Sequence, residues 1–282
     1  MMSASPSRLL SGMLLGACVI TSSLAQAQDT AINAEHIQRA AVAPTVVELA
    51  LSAKQNALFV SSPDWKDEKK SMVLRLDPKT LDVKATIPMA VKGFGVALDD
   101  TGNRLWLTEG FNGSVGVVDT AANRSLPSIK LQDEVNIEAA WRKSGMSSEQ
   151  LDFMLPELKR FKIDEGHLYK IREARYDAQT GRLFLPGLGY GVDSVLFVVD
   201  TRTGKLEKTL PGFGFYAVGI AIDEKGRRVF VSNMQGQLMT VNADTLALTH
   251  TAETQADQLL NLVYDAKHDR VLGVDQGIDR DK

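Results

Sequence analysis

The 282 residues carry 32 Lys and Arg against 35 Asp and Glu, a formal charge of −3, with 44% hydrophobic and 24% charged side chains. That balance excludes a disordered tail or a collagen-like fibre, and its slight acidity argues against wrapping duplex nucleic acid, while leaving room for one local basic patch. The single cysteine, Cys18, excludes an intramolecular disulfide and a cysteine metal site.

The chain begins as a targeting segment. Arg8 precedes an apolar stretch over residues 9–24, which ends in Ala25-Gln26-Ala27 and then polar Gln28-Asp29. A charged start, a short apolar middle and a small-x-small exit predict a signal peptide over 1–27 and a mature domain over 28–282. Leu15-Gly16-Ala17-Cys18 loosely fits a lipobox, but Val19 and Ile20 continue the apolar run beyond Cys18. Cleavage after Ala27 is therefore the preferred reading, with lipid anchoring at Cys18 the lesser one. No apolar run long enough to span a membrane follows.

A repeat then occupies the body. An apolar strand, a polar turn that usually ends in Arg, and a second apolar strand recur about five times. The turns are Lys54-Gln55-Asn56, Asp99 to Arg104, Asp177 to Arg182, Asp223 to Arg228 and Asp265 to Arg270. Each of the first four is followed by a further strand pair hinged on Asp77, Asp119, Asp200 or Asn242, residue types that cap turns through side-chain-to-backbone bonds. The anchors Leu58, Leu105, Leu183, Val229 and Val271 lie 47, 78, 46 and 42 positions apart, and the long interval shrinks to the common period once residues 132–168 are set aside. Four short strands per 40–45 residues predict an all-β fold, a β-propeller of four-stranded antiparallel blades.

The excursion over 132–168 reads as helical. Ser147 and Gln150 make a capping box, and Leu151, Met154, Leu155 and Leu158 share one helix face, with Pro156 expected to end or kink it. Ile137, Ala140 and Trp141 form a second short stripe. The insertion either packs on the rim or acts as a lid or docking arm for a protein partner. The fifth unit stops after its second strand, predicting an incomplete ring. Its first and last faces, around residues 46–51 and 262–274, would then be uncapped, open to dimerisation or aggregation through the strand edge.

Leu105-Trp106-Leu107-Thr108-Glu109 through Val117-Val118-Asp119-Thr120, and Val229-Phe230-Val231-Ser232-Asn233 through Val241-Asn242, resemble the YVTN-type propeller repeat. The order of segments from His36 to Asp275 is similar to the YncE-type periplasmic seven-bladed propellers. That resemblance implies a periplasmic location and weak binding of single-stranded DNA. It also makes the chain look C-terminally shortened, with an insertion longer than the loop such proteins carry.

Motifs for catalysis and for metal binding are missing from the reading. The four histidines are scattered, His167 reads as a solvated turn residue, and no nucleophile elbow or phosphate loop occurs. No catalytic residue, metal or cofactor is expected. By repeat register, the residues leading into the innermost strands should line the channel mouth: Lys92 and Phe94, Arg172 and Glu173, Tyr216, and Asn261. Trp65 adds a rim aromatic among Lys66, Lys69 and Lys70. Aromatics and cations near one axis suit single-stranded DNA or a small anionic ligand. The plainer reading has Phe94 and Tyr216 filling the channel while Arg172 pairs with the equivalent of Glu173 in another blade. The expected function is thus an exported, non-catalytic binding or scaffold propeller. The alternative is a lactonase-like hydrolase or a quinoprotein-like dehydrogenase.

Overall fold

The turns predicted from Asp and Asn are made. In the computed structural model, which describes residues 37–277, the Asp99 carboxylate accepts from the N–H of Gly102 (2.8 Å), Asp223 from that of Gly226 (2.9 Å) and Asp265 from that of Lys267 (3.2 Å). Asp77, Asp119, Asp200 and Asn242 close the second turn of each blade in the same way. Four blades result. They are β1 to β4 (Leu49–Ser52, Ala57–Ser62, Met72–Leu76, Val83–Pro88) and β5 to β8 (Val96–Asp99, Arg104–Thr108, Ser114–Asp119, Arg124–Lys130). After the insertion come β11 to β15 (Tyr169–Ile171, Arg175–Asp177, Arg182–Gly189, Val195–Asp200, Lys205–Pro211) and β16 to β19 (Ile220–Asp223, Arg228–Ser232, Gln237–Asn242, Leu248–Glu253). The hairpin β20–β21 (Leu259–Asp265, Arg270–Asp275) is the inner half of a fifth. Every pairing is antiparallel, and except for β11 with β13 each joins strands that are neighbours in sequence, as a propeller requires. The compact unit runs Arg39–Lys282. The leader residues Arg8, Cys18 and Ala27, and the polar end at 278–282, lie outside the described residues.

The core is a series of layers between consecutive blades. Phe59, Ile87, Leu105 and Val118 fill the first joint, Trp106, Leu183 and Phe197 the second, and Phe184, Phe213, Val229 and Val241 the third. A buried hydroxyl repeats at these joints. Ser61 Oγ donates to the Phe94 carbonyl (2.7 Å), Thr108 Oγ1 to that of Arg172 (2.9 Å) and Ser232 Oγ to that of Leu259 (2.8 Å). In the third blade the same position is Pro186, and the joint is made instead by Ser194 Oγ, which accepts from the N–H of Ala217 (3.0 Å). Beneath that joint, fully buried Asp177 receives two bonds from Arg227 (2.9 and 2.6 Å), and Arg227 also pairs with Asp244.

The uncapped faces are present in part. Val46, Val47, Leu49 and Leu51 are exposed, as expected, while Val60, Leu74 and Leu76 of the same blade are buried, with Val42 and Ala43 packed over them. Leu262 is buried as well, against Ala221 and Phe230 of the fourth blade, whereas Val263, Leu272 and Val274 are exposed. In the insertion, β9 (Val135–Asn136) pairs with β10 (Glu165–Gly166), and between them lie α1 (Ile137–Lys143) and α2 (Ser148–Phe161). The capping box at Ser147 and Gln150 is formed. Pro156 does not end α2, which continues to Phe161. A proline removes one donor from the helix ladder, and burial of Leu158 holds the turn beyond it.

Candidate ligand-binding mouth

In an antiparallel blade the loop between the second and third strands opens at the same end as the connection from the preceding blade. Chain direction therefore gathers residues 63–71, 89–95, 109–113, 190–194 and 212–219, together with the insertion, on one face. The first loop is shaped by Asp64. Its carboxylate accepts from the N–H groups of Lys66 (2.8 Å) and Asp67 (3.0 Å), and its own N–H donates to Ser71 Oγ (3.0 Å). These bonds and the bonds to the same backbone from Asp67 hold Trp65 at the tip, 57% exposed, with its ring centre 5.5 Å from that of Phe94. A groove of about 600 Å³ opens beside it, between Pro44–Thr45 and Lys66, Lys69 and Lys70.

Phe94 is buried, and Phe111 meets it edge-on with the ring centres 6.3 Å apart. Gly110, at φ +30°, makes this approach feasible, because a Cβ there would lie 2.3 Å from the Phe94 ring. The Gly110 carbonyl accepts from the N–H of Ile171 (3.0 Å), which ties the loop to β11. Lys170, next along, has its Nζ 4.9 Å from the centre of Phe111 and 4.5 Å from that of Tyr190. Tyr190 is fixed from behind. Its N–H donates to the Leu168 carbonyl (2.7 Å), and its carbonyl accepts from Trp141 Nε1 of α1 (2.6 Å). Trp141 is wholly buried with Ile137, Leu151 and Leu158, so the insertion braces this part of the mouth. Lys92 stands 4.0 Å from Glu68.

Below the rings, three residues of the inner strand, 172–174, oppose only two of β13, 185–186. This bulge faces Pro186, which has no N–H to offer, and bulges re-aim side chains in this way. Arg172 is exposed, while Glu173 turns inward toward Arg175 (3.7 Å). Glu48 of the first blade meets the same guanidinium at 3.8 Å and accepts from the N–H of Val96 (2.9 Å). Gly95 permits the crossing, since a Cβ there would meet the Arg172 carbonyl at 2.0 Å. Burial and the nearby Glu48 push the Glu173 carboxyl up to about 7, against the pull of Arg175 and Arg172. Burial also raises Glu48, which Val96 and Arg175 partly offset.

Trp65, Lys92 and Phe94 thus meet on one side of the mouth, with Arg172 and Glu173 deeper. Arg175, rather than Arg172, makes the cross-blade pair with Glu48. Tyr216 leads into the fourth blade at φ +52°, a strained setting for a bulky residue, and stacks on Phe215 at 4.0 Å. Asn261 does not join them. The bond from Ser232 places Leu259 where Phe94 and Arg172 stand, the register shifts between Leu259 and Asn261, and Asn261 lies exposed along the strand opposite Val274. His167 is half-buried against Gly113, with Nδ1 buried, and burial lowers its proton affinity. Sequence reasoning passed over Phe111, Lys170 and Tyr190. The signal was there: Trp65, Phe111 and Tyr190 occupy the same loop of three successive blades. Among the described residues, no three His, Cys, Asp or Glu side chains converge as a metal site would require, and no helix is long and apolar enough to cross a membrane.

No protein-family model matches the chain. Over 236 residues, 83% of its length, it is 30% identical to the uncharacterized protein YncE of Escherichia coli O157:H7. It is 30% identical over 237 residues to YncE of Escherichia coli strain K12 and 29% identical over 236 residues to that of Salmonella typhi. The chain is homologous to these proteins over the matched region, and it spans 58% of their length. A chain in the crystal structure of a mitotic checkpoint complex shares the fold with a TM-score of 0.58 at 13% identity, covering 83% of this chain and 58% of that one.

Proposed function

We propose that this chain is an exported, periplasmic, non-catalytic binding propeller whose mouth holds single-stranded DNA. The observation that carries the reading is the unbroken row Trp65, Phe94, Phe111, Lys170 and Tyr190, in which each group lies within 6.3 Å of the next. Single strands are bound by aromatic platforms for bases and cations for the backbone. Exposed Trp65 and Phe111 offer the first, and Lys66, Lys69, Lys170 and Arg172 the second. The net charge of −3 makes the attraction local rather than a property of the whole surface. The resemblance to YncE-type propellers implies the same activity and the same compartment.

Trp65 supplies the test. It is the exposed tryptophan, while Trp106 and Trp141 are 3% and 0% exposed, so emission quenched by a thymidine oligonucleotide reports on the mouth. Trp65→Ala and Phe111→Ala should each weaken binding, read by fluorescence anisotropy, by about 1–3 kcal/mol. Wild-type affinity in both variants would remove the mouth as the site.

A further inference from the structure

Lys170 differs from exposed Lys66, Lys69 and Arg172 in being half-buried, and from the paired cations of the mouth in its neighbours. Lys92 faces Glu68, Lys70 faces Asp67, and Arg175 lies between Glu48 and Glu173. Lys170 faces rings instead. Strand alternation sends Ile171 into the core and leaves Lys170 on the opposite side, where Phe111 and Tyr190 flank its ammonium. Ring faces attract the charge, and among the described residues no oxygen accepts from the three N–H donors of the ammonium. Burial alone lowers its proton affinity, with no carboxylate contributing. A half-buried ammonium, oriented by two rings and lacking an anion, fits an oxyanion brought from outside.

We propose that Lys170 is the anion anchor of the mouth, taking a phosphoryl oxygen, free or in a phosphodiester, between Phe111 and Tyr190. The single-stranded DNA reading supplies the identity of the full ligand; the anion seat stands on the geometry of Lys170.

The experiment has two arms. In the first, the full chain is acetylated at its lysines with acetic anhydride, with inorganic phosphate, a thymidine oligonucleotide or chloride at matched ionic strength, and each site is quantified by mass spectrometry. Phosphate and oligonucleotide should slow acetylation of Lys170 several-fold and leave exposed Lys79 and Lys84 unchanged. In the second arm, Lys170→Gln should bind the oligonucleotide about tenfold more weakly, with a salt slope shallower by about 0.7, the share of one phosphate on a single strand. Phosphate that protects no better than chloride would overturn the anchor, and so would wild-type affinity and slope in Lys170→Gln. Protection by phosphate with no oligonucleotide binding would keep the anchor and discard the DNA reading. Loss of binding in Trp65→Ala but not in Lys170→Gln would do the reverse.

Discussion

Glu173 holds its proton to about pH 7, while an unfolded glutamate releases it near 4.5. Between those values the folded chain binds more protons than the unfolded one, so this group lowers stability as pH rises. The penalty is absent below about pH 4.5 and complete above about pH 7. With the Glu173 side chain 16% exposed, the effect amounts to about 3 kcal/mol, shared with Glu48 because the two carboxyls face one guanidinium and titrate as a pair. Glu173→Gln should therefore raise stability at pH 8 and leave it nearly unchanged at pH 4.5, in urea unfolding curves at the two values. Equal gains at both would mean that packing, and not ionisation, governs the site. The sequence could show Glu173 beside Arg172 but not its proton affinity, which depends on Glu48 in another blade and on the bulge opposite Pro186.

At the scale of elements, the insertion is a brace with a measurable effect at a distance. Trp141→Phe keeps the ring in its cluster and removes the bond to the Tyr190 carbonyl, at a cost of about 1 kcal/mol in stability. It should also weaken oligonucleotide binding, because Tyr190 and with it Lys170 lose their support; unchanged binding would reduce the insertion to packing alone. The hairpin β20–β21 marks the other extreme. Val263, Leu272 and Val274 are exposed, and β21 has a strand on one side only among the described residues. Its amides should exchange faster than those of β17 and β18, and equal protection in a hydrogen-exchange experiment would contradict the unpaired edge. These elements were legible to different degrees. The strands and turns could be read because Asp, Asn and Gly act locally, and the start of α2 because Ser147 and Gln150 cap it within one turn. The end of α2 could not, since burial of Leu158 offsets Pro156 and burial is a tertiary fact. The mouth was half legible. Register from the inner strands led to Phe94 and Arg172, misplaced Asn261, and gave no weight to the loops carrying Phe111 and Tyr190.

At the scale of the molecule, stability is distributed over joints that are not alike. The joint between the third and fourth blades depends on Asp177, which is fully buried and bonded twice to Arg227. Asp177→Ala should cost about 3 kcal/mol, since it leaves a guanidinium partly buried without its carboxylate. A loss under 1 kcal/mol in thermal or urea unfolding would show that Asp244 alone suffices for Arg227. The joints closed by Ser61, Thr108 and Ser232 work differently, because in each a side chain of one blade holds a main-chain carbonyl of the next. A carbonyl is present whatever residue stands there. Those three hydroxyl bonds are therefore indifferent to the side chain that follows, and a chimera that exchanged the next blade would keep them while losing side-chain pairs such as Ser52 with Asp100 and Arg228 with Asp269. The buried pair shared by the third and fourth blades lacks this indifference. Asp177 belongs to one and Arg227 to the other, so transplanting either alone would separate a matched pair. The two should be inherited, or engineered, as a single module.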